Sequence, residues 1–160
     1  MKLLDDRSER NLATLHPDLI PGASAFISAA KSLARQLGFD VKCICGLRTW
    51  SEQEALYAKG RTAPGKIVTK APAGHSMHNF GLALDIGVFS KDGKTYHGNH
   101  ALYREIGPLG ESLGFEWGGR WKFVDEPHYQ FRPAWSTNMT DREVLASLRR
   151  RVAEKVDILA

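Results

Sequence analysis

Two histidines and two aspartates are spaced so that they could share a divalent cation and a mobile proton. His78 precedes Asp85 on a neighbouring segment, and Asp125 precedes His128 further along. Two imidazoles and a carboxylate are borderline donors suited to Zn²⁺, and three protein ligands leave the fourth tetrahedral position open for water, as in a catalytic site. We therefore assign His78, Asp85 and His128 to one zinc ion. Such an ion lowers the pKa of its water towards ~7 and polarises a carbonyl, yet hydrolysis also needs a base to take the water's proton. Asp125 fills that role, because the turn that Pro127 imposes brings its carboxylate beside the metal without ligating it.

The elements that must position these groups follow from periodicity. Ala23, Phe26, Ile27, Ala30, Leu33, Ala34 and Leu37 recur at three and four and predict an amphipathic helix between Gly22 and Gly38. Residues 39–47 read as a strand, and Ser51 with Glu54 has capping-box spacing for a short helix to Lys59. Residues 61–74, rich in Gly, Pro, Thr and Lys, read as a loop bordering a site. Strands are expected at 82–89, 116–124 and 128–132, the first isolating Asp85 among small neighbours and the last placing His128, Gln130 and Arg132 on one face. Residues 99–113 look helical, with Pro108 expected to kink or split the helix. Thr140 and Glu143 cap a C-terminal helix carrying Val144, Leu145, Leu148 and Val152. Interspersed helices and strands without a regular repeat predict an α+β fold with a small antiparallel sheet.

The chain has 160 residues, 42% hydrophobic, 25% charged and 9% aromatic, which predicts one soluble domain, 1–160, with 138–160 as a C-terminal helical extension. A net charge of +4, spread along the chain, does not mark a nucleic-acid partner. Arg142, Arg149 to Arg151 and Lys155 are offset by Asp141, Glu143, Glu154 and Asp157, so the C-terminal helix reads as a solvated face rather than a membrane-binding one. No apolar run reaches the ~18–20 residues of a membrane span, and Met1–Arg10 does not read as a secretory leader. Synthesis in the cytoplasm and a monomer are expected. Cys43 and Cys45 read as buried strand thiols in a reducing compartment, His75 as an exposed bystander, and Trp50, Trp117 and Trp121 as core.

Ser76-Met77-His78-Asn79-Phe80-Gly81-Leu82-Ala83-Leu84-Asp85 resembles the S-x-H-x-x-G-x-A-x-D signature of the VanY-like zinc peptidases of peptidoglycan, which include D-Ala-D-Ala carboxypeptidases, L-alanyl-D-glutamate endopeptidases and phage endolysins. Trp117-Gly118-Gly119-Arg120-Trp121 and Asp125-Glu126-Pro127-His128-Tyr129-Gln130 resemble that family's W-G-G-x-W and D-x-P-H-F-Q elements. Gly46-Leu47-Arg48-Thr49 and the segment from Gln53 to Thr62 resemble its G-x-R-[ST] and Q-x-x-L-Y-x-x-G-R-T elements.

The resemblance implies a hedgehog/DD-peptidase-like fold, with the same zinc ligands and the same base that the ligand chemistry suggests. It further implies that Arg48 directs its guanidinium at the scissile carbonyl or at a peptide carboxylate, that Ser76 either hydrogen-bonds substrate or ties the turn that holds His78, and that Gln53 contacts substrate. Family members often carry Ser in place of Cys45 and Asp in place of Arg120, so polar contacts made from those places are not expected here. The implied activity is hydrolysis of the peptidoglycan stem, at the L-alanyl-D-glutamate bond as in single-domain phage lysins, which reach the wall once the membrane is opened. The alternatives are a D-Ala-D-Ala carboxypeptidase or dipeptidase, and a non-catalytic wall-binding module.

Overall fold

The computed structural model describes residues 3–160; Met1 and Lys2, which open the stretch read for a secretory leader, lie outside the described residues. The helices are α1 (Asp6–Leu12), α2 (Ile20–Gln36), α3 (Trp50–Ala58), α4 (Leu102–Ser112) and α5 (Asp141–Ala153). The strands are β1 (Phe39–Cys45), β2 (Ala83–Ser90), β3 (Tyr96–His97), β4 (Glu116–Trp117) and β5 (His128–Gln130). All pairings in the sheet are antiparallel, so the expected α+β architecture is the observed one.

β2 is the strand around which the sheet is built. β1 runs along one edge from Phe39 opposite Ser90 to Cys45 opposite Asp85, with an irregular register between Cys43 and Cys45. On the other edge β5 takes the first half, with Asp85 opposite His128, and β3 takes the second. β4 pairs outside β5. Cys45, Asp85 and His128 thus lie side by side across three strands, and cross-strand neighbours on one face are within reach of each other's side chains.

The apolar stripe of α2 packs on this sheet. Ala23, Phe26, Ile27, Ala30 and Ala34 are fully buried, and the ring centroids of Phe26 and Tyr129 are 4.5 Å apart. α4 approaches so closely that a Cβ on Gly107 or Gly110 would fall 2.5 or 2.4 Å from a ring atom of Trp117 or Tyr129. α5 adds Val144 and Leu148 to the same core cluster. Among the described residues no helix is long and apolar enough to cross a membrane.

Several boundaries differ from the sequence expectation, each for a local reason. The N-cap of α3 is Thr49, whose hydroxyl accepts from Glu52 N–H while the Glu52 carboxylate accepts from Thr49 N–H; Ser51 lies inside the first turn. Pro108 sits within a continuous α4, because the lost hydrogen bond is outweighed by buried Ile106, Gly107 and Gly110 around it. The expected strand 116–124 stops at Trp117, since the chain turns back through Gly118–Arg120 and closes on itself. α1 was not anticipated: it is short, polar and buries only Ser8 and Leu12, with Asp5 as its cap.

Candidate active site

The site is assembled from a turn and two strands. Met77–Phe80 forms a 3-10 turn whose cap is Ser76, its hydroxyl accepting from His78 N–H at 3.3 Å. Asn79 locks this turn: its Oδ1 accepts from Gly74 and Ser76 N–H, and its Nδ2 donates to the Arg48 carbonyl at 2.9 Å. Gly81, at φ +69°, ends the turn in the left-handed region that favours glycine and feeds the chain into β2. His78 is thereby held over the β2 face that carries Asp85.

The protonation pattern of both imidazoles is fixed by their outer partners. His78 Nδ1 lies 2.8 Å from the Gly46 carbonyl, which can only accept, so the proton is on Nδ1 and Nε2 is left with a lone pair. For His128 the outer partner is Gln130. Gln130 Nε2 donates to the Glu116 carboxylate at 3.2 Å, so its Oε1 faces His128 Nε2 at 2.8 Å, and that nitrogen carries the proton. His78 Nε2 and His128 Nδ1 then both present lone pairs to the same atom, Asp85 Oδ1, at 3.2 Å each. Three electron-rich atoms converge with no proton of their own between them. Such a group fits a bound cation, and two imidazoles with a carboxylate fit one of zinc's character. In the absence of a cation the same geometry draws in a proton. Burial works to lower the pKa of His78, but the Asp85 carboxylate outweighs it and raises the value; Asp85, despite its own burial, is lowered by His128 and His78.

Cys45 also stands close, and the ligand atoms of Cys45, His78 and Asp85 lie within 4.8 Å of one another. Its Sγ is 3.7 Å from His78 Nδ1, the nitrogen already engaged by Gly46, and 3.5 Å from an Arg48 Nη2 donor. The thiol is therefore outside the convergence point at Asp85 Oδ1. It is half-buried beside the site, whereas only Cys43 is the fully buried strand thiol expected of both.

These groups open into a cavity of about 510 Å³ lined by His78, Asp85, His128, Asp125, Arg48 and Ser76, among others. Asp125 as a residue is exposed, but its carboxyl faces the cavity wall, where lost solvation raises its pKa; Asp85 adds to the rise, and His128, His78 and Arg48 oppose it. Arg48 donates to Gln53 Oε1 at 3.0 Å and lies 3.8 Å from Asp85 Oδ2. Gln53, expected to touch substrate, is fully buried: its Oε1 is used by Arg48 and its Nε2 donates to the Ala71 carbonyl at 2.7 Å. Its geometry is that of a support for Arg48. Trp117 is core as expected, but Trp121 lines the cavity with its ring 5.1 Å from that of His128, and Trp50 is 41% exposed over the Gly74 turn. Arg120, which does not line the cavity, pairs with Glu111 on the surface.

Comparison with known proteins places this arrangement. The sequence profile of the D-alanyl-D-alanine carboxypeptidase family of M15 peptidases matches residues 69–131. The peptidoglycan L-alanyl-D-glutamate endopeptidase CwlK of Bacillus subtilis is 42% identical over 125 residues, which are 72% of this chain and 75% of the relative. The chain belongs to the M15 peptidase family. The crystal structure of the L-Ala D-Glu endopeptidase ChiX of Serratia marcescens superposes with a TM-score of 0.56 at 25% identity, covering 79% of this chain and 87% of that one.

Within this M15 peptidase, four supporting residues carry no role in the sequence reading. Gly46 supplies the carbonyl that sets the His78 tautomer, and Gln130 sets that of His128. Asn79 fastens the turn to Arg48. Gly118 lets the Asp125 backbone close on it: Asp125 N–H donates to the Gly118 carbonyl at 2.9 Å, and a Cβ at 118 would fall 2.4 Å from Asp125 O. Only Gln130 had a legible signal, since i and i+2 on a strand share a face.

Proposed function

We propose that the chain is a zinc peptidase of peptidoglycan that cuts the stem between L-alanine and D-glutamate, with His78, Asp85 and His128 as the zinc ligands. The observation that carries the zinc reading is the pair of imidazole lone pairs meeting Asp85 Oδ1 at 3.2 Å. The choice of bond rests on the 42% identity to an endopeptidase of that specificity.

When bound, zinc supplies Lewis-acid polarisation of the scissile carbonyl and acidifies water at the site. The chain's own residues do the rest. Asp125 Oδ accepts the proton of the attacking water and returns it to the departing amine; its raised pKa suits a group that must hold that proton between the two events. Arg48 has donors beyond those bound to Gln53 and Cys45, and these serve the carbonyl oxygen as negative charge develops, a contribution of roughly 3 kcal/mol to the barrier. Gln53 and Asn79 keep that guanidinium and its backbone in place. Ser76 maintains the His78 turn and lines the cavity beside the substrate.

We further propose a role in wall lysis of the phage-endolysin kind, the protein reaching the wall once the membrane is opened. The test is to incubate purified protein with defined muropeptides and mass-analyse the products. A new N-terminal D-glutamate is expected. Released D-alanine would instead make it a carboxypeptidase, the activity named by the family description, and intact substrate with zinc present would leave a wall-binding module.

A further inference from the structure

Helix α5 lies outside the chemistry above, yet it walls the cleft. Leu145 lines both the central cavity and a wider groove of about 880 Å³, and the two share His75, Trp121 and Asp125, so the groove continues from the site. Arg149 Nη1 donates to the Gly74 carbonyl at 3.0 Å, which fastens α5 to the turn leading to His78.

The groove is polarised. Its apolar surface comes from Ile67, Val68, Phe123 and Val124, which are 58–75% exposed. At its inner end stand the carboxylates of Asp85 and Asp125. Elsewhere along its walls stand two cations, Lys70, whose Nζ sits 4.8 Å from the Phe123 ring centroid, and Arg142. Neither is paired with a carboxylate among the described residues. This sets Arg142 apart from Arg48, Arg104, Arg120 and Arg132, each of which faces an acid.

The position of Arg142 on its helix sharpens the point. It follows the N-cap Thr140 by two residues, in the first turn, where the partial positive charge of the helix end disfavours a cation. Its acidic neighbours are committed elsewhere, Asp141 to Arg132 and Glu143 to the capping box with Thr140. A free guanidinium in a groove that runs from a peptidase centre is suited to an anion on the substrate.

We infer that this groove receives a free carboxylate of the stem peptide, and that Arg142, aided by Lys70, is a specificity-determining residue for it. The inference rests on the stem-peptidase reading. A stem that continues through the γ-carboxyl of D-glutamate leaves the α-carboxyl free beside the proposed scissile bond, and the stem terminus offers a second carboxylate of the same chemistry.

The test uses three soluble stems: one with both carboxylates free, one amidated at the D-glutamyl α-carboxyl, and one amidated at the terminus. kcat and KM are measured for the zinc-loaded wild type, Arg142→Gln, and Arg150→Gln, a last-turn arginine that lines neither cavity. Amidation of the recognised carboxylate should raise the wild-type KM roughly three- to tenfold, as for an ion pair in a partly exposed groove, with kcat within about twofold. Which amide has this effect identifies the carboxylate. Arg142→Gln should show the raised KM with every stem and no preference among them, and Arg150→Gln should match the wild type. A wild type indifferent to both amides, or a preference surviving in Arg142→Gln, overturns the inference. Should no stem be cleaved, calorimetric binding of the same stems decides: a preference that Arg142→Gln erases keeps the groove and discards the peptidase, and no preference discards both.

Discussion

The protein sets half-buried carboxylates among basic groups in two places and completes them in opposite ways. On the α1, α2 and β1 side, Lys31 is 2% exposed and its ammonium donates to Asp5 at 3.0 Å, Asp40 at 2.8 Å and the Val41 carbonyl at 2.7 Å. Three protons meet three acceptors, and Ser8 closes the remaining gap between Asp5 and the backbone N–H of Cys43. At the other cluster Asp85 Oδ1 meets two imidazole nitrogens whose protons point away from it. In the first cluster the positive charge belongs to the chain; in the second Arg48 stands 3.8 Å from Asp85 Oδ2, and the charge that would sit between Oδ1 and the two imidazoles must come from outside. Burial of an acid does not mark a functional site by itself. A missing positive charge does.

The comparison implies that function and stability separate, and the proposed base, Asp125, gives the largest expected effect. Asp125→Ala should retain zinc and melt like the wild type while turnover falls about 10²–10⁴-fold. Metal content, thermal melting and muropeptide turnover on one preparation check this, and near-normal turnover would remove Asp125 from the mechanism.

Removing the central charge of each cluster comes next. Lys31→Met leaves Asp5 and Asp40 facing each other without their shared cation, and about 3 kcal/mol of stability should go with it. For a chain of this size that is a fall in Tm of roughly 6–12 °C, with zinc affinity unchanged. Asp85→Asn should do the reverse. Zinc binding is lost, and metal-free stability should fall by less than in Lys31→Met, because the new amide can donate to one imidazole nitrogen and so replaces part of the Asp85–His78 contact. If metal-free Asp85→Asn proved as unstable as Lys31→Met, the two clusters would be alike and the contrast would fail.

Much of the second cluster was legible in the sequence and almost none of the first. His78, Asp85 and His128 stand out because their residue types are rare in an apolar pattern and their spacing fits a turn and two strands. The alternation in 128–132 even put Gln130 on the face of His128. Lys31 gives no such signal: a lysine on an amphipathic helix reads as solvent-facing, and its partners, Asp5 and Asp40, lie in a helix cap and a strand edge that sequence periodicity does not join. The same limit hid the tautomer control by the Gly46 carbonyl, since a backbone atom has no sequence signature. It also misdirected Gln53, whose motif position suggested substrate contact while packing used its amide to hold Arg48. Strand 116–124 was overextended because steric closeness of Gly118 and Asp125 is a tertiary fact, invisible to alternation.

Gln130 offers a finer probe, because it would reach the proposed metal only through His128. Gln130→Met keeps the volume but removes the acceptor that holds the His128 proton on Nε2. Zinc affinity should drop about 10–100-fold, the usual effect of losing an outer partner of a ligand histidine. Competition with a chromogenic chelator measures it. The catalytic rate at saturating zinc should stay near wild type, and an unchanged affinity would mean that the tautomer is held by something other than this chain of amides.

The smallest effect, and the one that tests the contrast most directly, is the sign of the pH dependence. Burial would raise the Asp5 pKa, but the Ser8 hydroxyl and N–H together with Lys31 bring it down from 3.8 to about 2. A depressed folded-state pKa contributes stability that is present above 3.8 and disappears as pH falls towards 2, here less than about 2 kcal/mol after allowance for its partial exposure. Asp5→Asn should therefore lower the neutral plateau by up to that amount and flatten the acid limb of the melting profile. The metal-free site has the opposite sign. The His78 pKa is raised, so the stability from its contact with Asp85 is present below the ordinary imidazole range and lost as pH climbs above it. Zinc must displace that proton, so the stabilisation it adds should keep growing as pH rises towards about 10. Melting curves with and without zinc, for wild type and Asp5→Asn, read both limbs at once. A zinc increment that stays flat across that range would mean that no proton leaves when the metal enters, and that the imidazoles at Asp85 are not its ligands.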